Sequence, residues 1–154
     1  SCSKHFAMTG FRVGFVAARE EIIDMLTIIQ SQSTTGTSSI SQWAALAAFQ
    51  HADAAISSVR TEMQGRRDVL VSELSRAFEF TCSKSGSGLY LFPALSEFGR
   101  PDQSSNDFCE ELLEKSNIAT VPGIAFGQEG YVRLSFGETE KELTEAVNRL
   151  RAAV

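Results

Sequence analysis

The sequence predicts an α/β fold in which short strands are interspersed with long helices. Apolar residues recur at three- and four-residue steps in several segments, and short apolar runs lie between clusters of glycine, proline and small polar residues. The composition, with 43% hydrophobic and 21% charged residues over 154 positions, is typical of a globular protein with one real core. Strands combined with long helices indicate an α/β or α+β domain.

The first third of the chain predicts one strand and two helices. Residues 11–18 alternate and then run apolar, which is typical of a largely buried strand. Residues 20–29 place apolar side chains on one helix face, with acidic residues near the start, where the helix dipole favours them. Nine small or polar residues at 31–39 then predict a loop, and an alanine-rich helix follows from residue 40 to 49.

The middle of the chain predicts a long helix and a hairpin. Helical spacing of apolar residues extends over residues 59–74 and continues across the permissive Gly65. Residues 78–82 and 89–92 have the composition of two strands, and glycines 86 and 88 lie between them. A β-hairpin is the simplest interpretation of this pattern.

The last third predicts two helices and two strands. A helix runs from residue 108 to about 116, and strands are expected at 118–121 and 131–136, with glycine-containing turns between them. Thr139 followed three residues later by Glu142 forms a capping-box pattern at the start of the last helix. In the strand 131–136, alternate residues should face the core.

Charge and cysteine content exclude several classes of function. The net charge of −5 without a Lys/Arg cluster argues against a nucleic-acid partner, and no apolar run approaches the length of a membrane span. Three cysteines at wide spacing, positions 2, 82 and 109, fit neither a disulfide framework nor a zinc site. His5 and His51 lack metal-ligand spacing, so no metal is expected. The default compartment is reducing and cytoplasmic.

The densest chemical signal is at the start of the chain. Ser1 and Ser3 precede Lys4, and Arg12 follows at the edge of the predicted strand. Hydroxyls and a guanidinium are suitable ligands for phosphate, and a partly desolvated lysine beside a cation is a candidate imine former. The simpler alternatives are a solvated surface amine at Lys4 and a surface arginine at a sheet edge for Arg12.

This segment resembles the lysine segment of class I, fold-type I, pyridoxal-phosphate aminotransferases. The resemblance extends over essentially the whole chain, and it is strongest to the bacterial-type aspartate aminotransferase branch. The matching motifs are Ser1-x-Ser3-Lys4-x-Phe6-x-Met8-Thr9-Gly10-x-Arg12-x-Gly14, Ser31-Gln32-Ser33-Thr34-Thr35, Ser38-Ser39-Ile40-Ser41-Gln42, Ser85-Gly86-x-Gly88-x-Tyr90, Val121-Pro122-Gly123 and Tyr131-Val132-Arg133-Leu134-Ser135-Phe136.

The resemblance implies a role for each of five residues. Lys4 would bond covalently to pyridoxal 5′-phosphate and move a proton between the substrate Cα and the cofactor. Arg12, with Ser1 and Ser3, would hold the cofactor phosphate. Arg133 would bind the α-carboxylate of the amino acid or 2-oxo acid substrate as a bidentate pair. A solvated sheet face is the alternative for Arg133.

The resemblance also implies that the chain corresponds to the C-terminal two fifths of such an enzyme. Residues 1–50 would be the end of the large cofactor domain, and residues 51–154 the small C-terminal domain with a mixed sheet. The preceding part would supply the aromatic ring that stacks on the cofactor, the Asn and Tyr that bond its O3′ oxygen, and the Asp that pairs with its ring nitrogen. The isolated chain is therefore expected to bind cofactor weakly and to be inactive.

The sequence leaves alternatives for the substrate and for the assembly. Aspartate is the expected amino donor, while another transaminase, a fold-type I lyase and a non-catalytic truncated module are alternatives. A homodimer or higher assembly is expected, because the apolar helix face at Ile22, Met25, Leu26 and Ile29 would lack its cover in this chain.

Overall fold

The computed structural model describes all residues from 1 to 154 and divides the chain into two compact units. The first unit is Ser1–Thr61 and the second is Glu62–Val154. Helices and a small sheet are both present, which confirms the predicted α/β class. None of the helices is both long enough and apolar enough to cross a membrane.

The first unit is helical. Its elements are a short α1 (Cys2–His5), a 3₁₀ turn (Thr9–Phe11), α2 (Glu20–Ser33), α3 (Ser39–Gln50) and the first part of α4 (Ala52–Ala77). Both predicted helices are confirmed, but α2 extends into the segment predicted to be a loop. The hydroxyls of Ser31 and Ser33 donate to the carbonyls of Ile28 and Ile29, so these polar residues are accommodated within the helix.

The strand predicted at residues 11–18 is wrong. Residues 12–19 have no regular secondary structure, because no other segment of the chain pairs with them as a strand. Val13 is buried, whereas Phe15 and Val16 are 64% and 66% exposed. Val13 is therefore the one residue of this apolar run that the chain buries.

A small apolar cluster connects the start of the chain to α3. Cys2, Met8 and Val13 pack with Ala45, and the hydroxyl of Ser41 donates to the carbonyl of Phe11 at 2.7 Å. These contacts fix residues 1–14 against α3.

The second unit contains the sheet. Its elements are the rest of α4, α5 (Ser105–Ser116), α6 (Glu140–Ala153), two 3₁₀ turns (Leu95–Phe98 and Gly123–Phe126) and the strands β1 (Tyr90–Leu91), β2 (Val121–Pro122) and β3 (Val132–Ser135). Helix α4 continues across Gly65 without interruption, as predicted.

The three strands pair in the order β1-β3-β2, and both pairings are antiparallel. The mixed sheet expected from the sequence is therefore not formed within this chain. The predicted hairpin is also wrong, because Leu91 pairs with Leu134 of β3 and residues 78–89 contain no strand. Instead, Phe78 contacts Phe98 at a ring separation of 5.3 Å, and the hydroxyl of Thr81 donates to the carboxylate of Glu97 at 2.7 Å.

The core of the second unit lies between the sheet and its helices. Val132, Leu134 and Phe136 are buried, as their alternation predicts, and they belong to one cluster with residues of α4, α5 and α6. Cys109 belongs to the same cluster and is therefore a core residue. The capping box of Thr139 and Glu142 is present at the start of α6.

Candidate functional site

The lysine segment forms a single helical turn with its polar groups outside. Ser1 is the N-cap of α1, and its hydroxyl accepts from the backbone N–H of Ser3 at 3.3 Å. The two serine hydroxyls lie 3.2 Å apart. Lys4, three residues after Ser1, is exposed. One helical turn therefore carries two hydroxyls and one exposed amine.

Arg12 connects to this turn through Thr9. The Arg12 guanidinium donates to the carbonyl of Thr9 at 3.1 Å, and the hydroxyl of Thr9 donates to the carbonyl of Ser3 at 3.3 Å. Arg12 itself has a left-handed backbone with φ of 52°, a conformation that only a few per cent of non-glycine residues adopt. Such strain is found where surrounding contacts fix the backbone, often at functional sites.

The contacts beneath the turn fix its position. The backbone N–H of Cys2 donates to the carbonyl of Val13 at 3.3 Å. A Cβ added at Gly14 would lie 3.6 Å from the Cα of Ser1, so Ser1 is a close neighbour of Gly14. The donor set at this end of the first unit, with two hydroxyls and one guanidinium, has the chemistry that binds a phosphate.

A polar cleft of about 410 Å³ lies beside Gly14 in the first unit. Residues from the end of α2, from the following turn and from the first part of α3 form its other walls. They include Gln30, Ser31, Thr35 and Gln42. Thr35 has a positive φ of 64°, which directs the chain from α2 into the turn before α3. Part of the Ser31–Thr35 motif thus lines a cleft in the lysine-bearing unit.

In the second unit, Arg133 lies between two aromatic rings. The central carbon of its guanidinium is 4.3 Å from the ring centre of Tyr90 and 4.9 Å from that of Phe126. Arg133 is half-buried on β3 and forms no salt bridge within the chain. Its immediate surroundings are aromatic rather than the solvated face that the sequence left open. Cation–π contacts of this kind hold a guanidinium while its N–H groups still face outward.

We call Tyr90, Phe126 and Arg133 the arginine clamp. The ring of Phe126 packs edge-on against Phe92 at 5.8 Å, and Phe92 stacks on Tyr131 at 5.4 Å. Sequence reasoning selected Arg133 but assigned no role to the two clamp aromatics. Tyr90 ends one of the matching motifs and Phe126 closely follows another, which is the only signal the sequence offered for them.

The thiols of the second unit are not activated. Burial raises the pKa of Cys82 and that of Cys109, although the hydroxyl of Thr120, close to the Cys109 thiol, partly opposes the second shift. A raised pKa leaves a thiol protonated and weakly nucleophilic. No group of three or more His, Cys, Asp or Glu side chains is arranged to hold a metal ion.

The resemblance to aminotransferases that the sequence motifs indicated is confirmed by comparison with known families. The family model for aminotransferases of class I and II matches residues 1–150. The chain therefore belongs to the class I and II aminotransferase family.

Several known aminotransferases are similar to this chain. A probable aspartate/prephenate aminotransferase of Rickettsia bellii is 41% identical, and the match covers 98% of this chain and 40% of that protein. The solved aspartate aminotransferase of Rhizobium meliloti is 34% identical with a TM-score of 0.86, covering 99% of this chain and 40% of that structure. The aromatic aminotransferase of Pyrococcus horikoshii gives the same identity, 34%, and the same TM-score, 0.86, over 98% of this chain and 40% of its own. The chain thus spans about two fifths of the length of these relatives.

Proposed function

We propose that the chain is the C-terminal part of a pyridoxal-phosphate-dependent aminotransferase that exchanges an amino group between aspartate and a 2-oxo acid. The observation that carries this proposal is that Ser1, Ser3 and the exposed Lys4 belong to one helical turn, with Arg12 connected to that turn through the hydrogen bonds of Thr9. Residues 1–50 would be the end of the cofactor domain, and residues 51–154 would be the small domain. The boundary that we propose between the domains, after residue 50, lies near the end of α3.

The phosphate of the cofactor would bind to the serine hydroxyls and to Arg12. Ser1 and Ser3 donate hydrogen bonds without adding charge, whereas the guanidinium supplies a positive charge and a fork of N–H donors. The left-handed backbone of Arg12 ends the 3₁₀ turn Thr9–Phe11 and so determines where the exposed guanidinium leaves the chain.

Lys4 would hold the cofactor covalently and move a proton. When bound, pyridoxal phosphate supplies the electron sink that allows an amino acid to lose the proton on its Cα. The Nζ of Lys4 would be the base that takes this proton from the substrate Cα. The exposed position of Lys4 on α1 supports access to both groups.

Arg133 would bind the α-carboxylate of the substrate. Its faces are covered by the rings of Tyr90 and Phe126, so the N–H groups at the edge of the guanidinium are the part available to a carboxylate. A planar fork of donors matches a carboxylate as a bidentate pair. Aspartate as donor is supported by the names of the Rickettsia and Rhizobium relatives, and the former also names prephenate as a substrate.

The remaining parts of such a site would come from the portion of the relatives that this chain does not match. We expect the 154-residue chain alone to be inactive and to bind cofactor weakly. We also expect a cytoplasmic homodimer or larger assembly, because α2 leaves Met25 and Ile29 61% and 63% exposed.

Borohydride reduction tests the role of Lys4. Protein incubated with pyridoxal phosphate is reduced and digested, and the modified lysine is located by mass spectrometry. We expect a specific adduct on Lys4 in a longer protein that contains these residues, and a low yield in the 154-residue chain. The Lys4→Ala variant should lose the adduct, whereas Lys141→Ala, a change at an exposed lysine of α6, should keep it. An adduct distributed over several lysines would contradict the assignment.

Product analysis separates the alternatives. Oxaloacetate formed from aspartate with a 2-oxo acid acceptor supports the proposed reaction, and prephenate can be offered as a second acceptor. Pyruvate with ammonia would instead identify a lyase, and the absence of any product from the longer protein would favour a non-catalytic module.

A further inference from the structure

A buried serine at the start of α5 donates two hydrogen bonds to a carboxylate in the loop before β3. Ser105 is 0% exposed. Its backbone N–H donates to Oε1 of Glu129 at 2.6 Å, and its hydroxyl donates to Oε2 of the same side chain at 3.0 Å. Both carboxylate oxygens of Glu129 therefore accept a hydrogen bond from Ser105.

The hydrogen bonds from Ser105 to Glu129 add to the capping of α5 that Ser104 provides. The hydroxyl of Ser104, the N-cap of α5, already accepts from the backbone N–H of Asp107 at 3.1 Å. The pKa of Glu129 is held below its ordinary value by the backbone N–H of Ser105 and, next, by that of Gly130. At neutral pH, Glu129 is thus an anion fixed between α5 and its own loop.

The hydroxyl of Ser105 also holds the turn that carries Phe126. It accepts from the backbone N–H of Ile124 at 3.3 Å, and Ile124 lies in the 3₁₀ turn Gly123–Phe126. A hydrogen-bonded path therefore runs from Glu129 through Ser105 to the turn that places the ring of Phe126 4.9 Å from the guanidinium carbon of Arg133.

The other end of this turn is fixed by the backbone. The N–H of Gly123 donates to the carbonyl of Tyr131 at 2.8 Å, and a Cβ at position 123 would lie 2.2 Å from the carbonyl oxygen of Gln128. With Gly123 held in this way, the bond from Ile124 to Ser105 is the side-chain contact that fixes the middle of the turn.

We propose that Glu129 and Ser105 are positioning residues that hold Phe126 against Arg133 and so pre-organise the arginine clamp for a substrate carboxylate. The consequence for the substrate rests on the proposed function, whereas the hold on Phe126 does not. A guanidinium that is already fixed loses less conformational freedom when a carboxylate binds. Loss of the hydrogen bonds between Ser105 and Glu129 should therefore weaken substrate binding more than it slows the chemical step.

Nuclear magnetic resonance of arginine-labelled protein tests the hold on Phe126. Protons of the Arg133 side chain that face two aromatic rings should resonate upfield of those of a solvated arginine. We expect Ser105→Ala and Glu129→Gln to reduce this upfield shift by up to about half, because they release Phe126 and leave the nearer ring of Tyr90 in place. Ser104→Ala is the matched control, because it removes a hydrogen bond from the same end of α5 without touching Glu129 or Ile124, and it should leave the shift unchanged.

Kinetics of the longer protein test the consequence for substrate. Ser105→Ala and Glu129→Gln should raise KM for the amino acid several-fold with kcat nearly unchanged, and Ser104→Ala should change neither. A retained upfield shift in both variants, or an equal loss in Ser104→Ala, would overturn the proposed hold. A lost shift with unchanged KM would overturn its role in binding.

The two assays also separate this proposal from the proposed function. If the unchanged longer protein transaminates no amino acid, the proposed function fails, while the position of the Arg133 resonances still decides whether Glu129 and Ser105 hold Phe126. If Ser105→Ala does not fold, Glu129→Gln alone decides the outcome, because it keeps the buried serine and alters only its partner.

Discussion

The two units of the chain bury their apolar residues to very different degrees. The second unit has a single core cluster of fourteen buried residues, whereas the cluster of the first unit has four. Conversely, twelve of the sixteen exposed large hydrophobic residues lie between Phe11 and Phe49. The second unit therefore has the core of an independently folded domain, and the first unit depends on a further surface to cover its helices.

This difference in packing affects how firmly the chain holds the residues of each half of the proposed site. Arg133 lies on the central strand of the sheet, beside the rings of Tyr90 and Phe126, and the second of these rings packs against Phe92. The residues around Lys4 are fixed by a few local hydrogen bonds and a small apolar cluster. Under the proposed function, the carboxylate-binding half would be ordered by this chain itself, while the phosphate-binding half would gain order from what covers the first unit.

The largest effect is expected for Gly123→Ala in the second unit. A Cβ at this position would overlap the carbonyl oxygens of Gln128 and Tyr131, at 2.2 Å and 2.6 Å, and both are backbone atoms that cannot rotate away. We expect the free energy of unfolding of the second unit to fall by more than about 3 kcal/mol, which is at the upper end of single substitutions. Urea denaturation followed by far-ultraviolet circular dichroism measures this change.

Gly86→Ala is the control for that substitution. A Cβ at Gly86 meets nothing within 4 Å, and Gly86 has no positive φ. Its replacement should change stability by less than about 0.5 kcal/mol, which is usual for a surface site. An equal loss in the two variants would show that glycine itself, rather than the packing of the Gly123 turn, determines the result.

The second prediction compares buried and exposed apolar residues in the two units directly. Leu112 is 0% exposed in the core of the second unit, and Met25 is 61% exposed on α2. Leu112→Ala should lower the free energy of unfolding by about 2–5 kcal/mol, because it removes buried contacts and leaves a cavity. Met25→Ala should cost less than about 1 kcal/mol and should reduce self-association in light scattering.

A large loss of stability for Met25→Ala would contradict the conclusion that Met25 contributes less to stability than the buried Leu112. It would mean that α2 is covered in the protein as it exists in solution, by a second copy or by another segment. Measurement at two protein concentrations distinguishes these cases, since cover by a second copy depends on concentration.

Local signals in the sequence were sufficient for the helices and for β3. Helical spacing and the pair Thr139 and Glu142 act over a few residues, and both predictions are confirmed. The strands at 11–18 and 78–82 failed for a common reason. An apolar alternating run is compatible with a strand, but pairing requires a partner that the local pattern does not specify.

The candidate site likewise contains residues that the sequence selected and residues that it did not. The resemblance selected Lys4, Arg12 and Arg133 because their motifs are contiguous in sequence. The contacts of Phe126 and Glu129 were not foreseen, since each depends on segments that meet only in the folded unit. Exposed and half-buried aromatic residues also lack the periodicity that marks a core face.

The third prediction concerns the cap of α6. The hydroxyl of Thr139 accepts from the backbone N–H of Glu142 at 3.3 Å and donates to its carboxylate at 2.6 Å. Thr139→Ala should lower the free energy of unfolding of the second unit by about 1 kcal/mol, the usual cost of losing such a cap. Thr139→Ser, which keeps the hydroxyl, should recover most of the loss in the same urea titration. Failure of serine to do so would assign the effect to the methyl group.

The smallest effect is expected from the other member of this capping box, and it should depend on pH. Hydrogen bonds from the hydroxyl and the backbone N–H of Thr139 hold the pKa of Glu142 below its ordinary value of 4.5, with Arg66 and Lys141 adding attraction. A carboxylate whose pKa is lowered by folding stabilises the protein above its ordinary pKa and loses that contribution as pH falls through the lowered value.

Glu142→Gln separates this contribution from all other titrations. The glutamine keeps an oxygen that can accept from Thr139 but carries no charge at any pH, so its cost should be smaller than that of Thr139→Ala. The difference in the free energy of unfolding between the unchanged protein and Glu142→Gln should be constant above about pH 5 and shrink below pH 4.5, as Glu142 becomes protonated. Urea titrations at pH 7, 5, 4 and 3 measure it. A difference that stays constant down to the lowest of these values would show that the charge of Glu142 adds nothing to the cap.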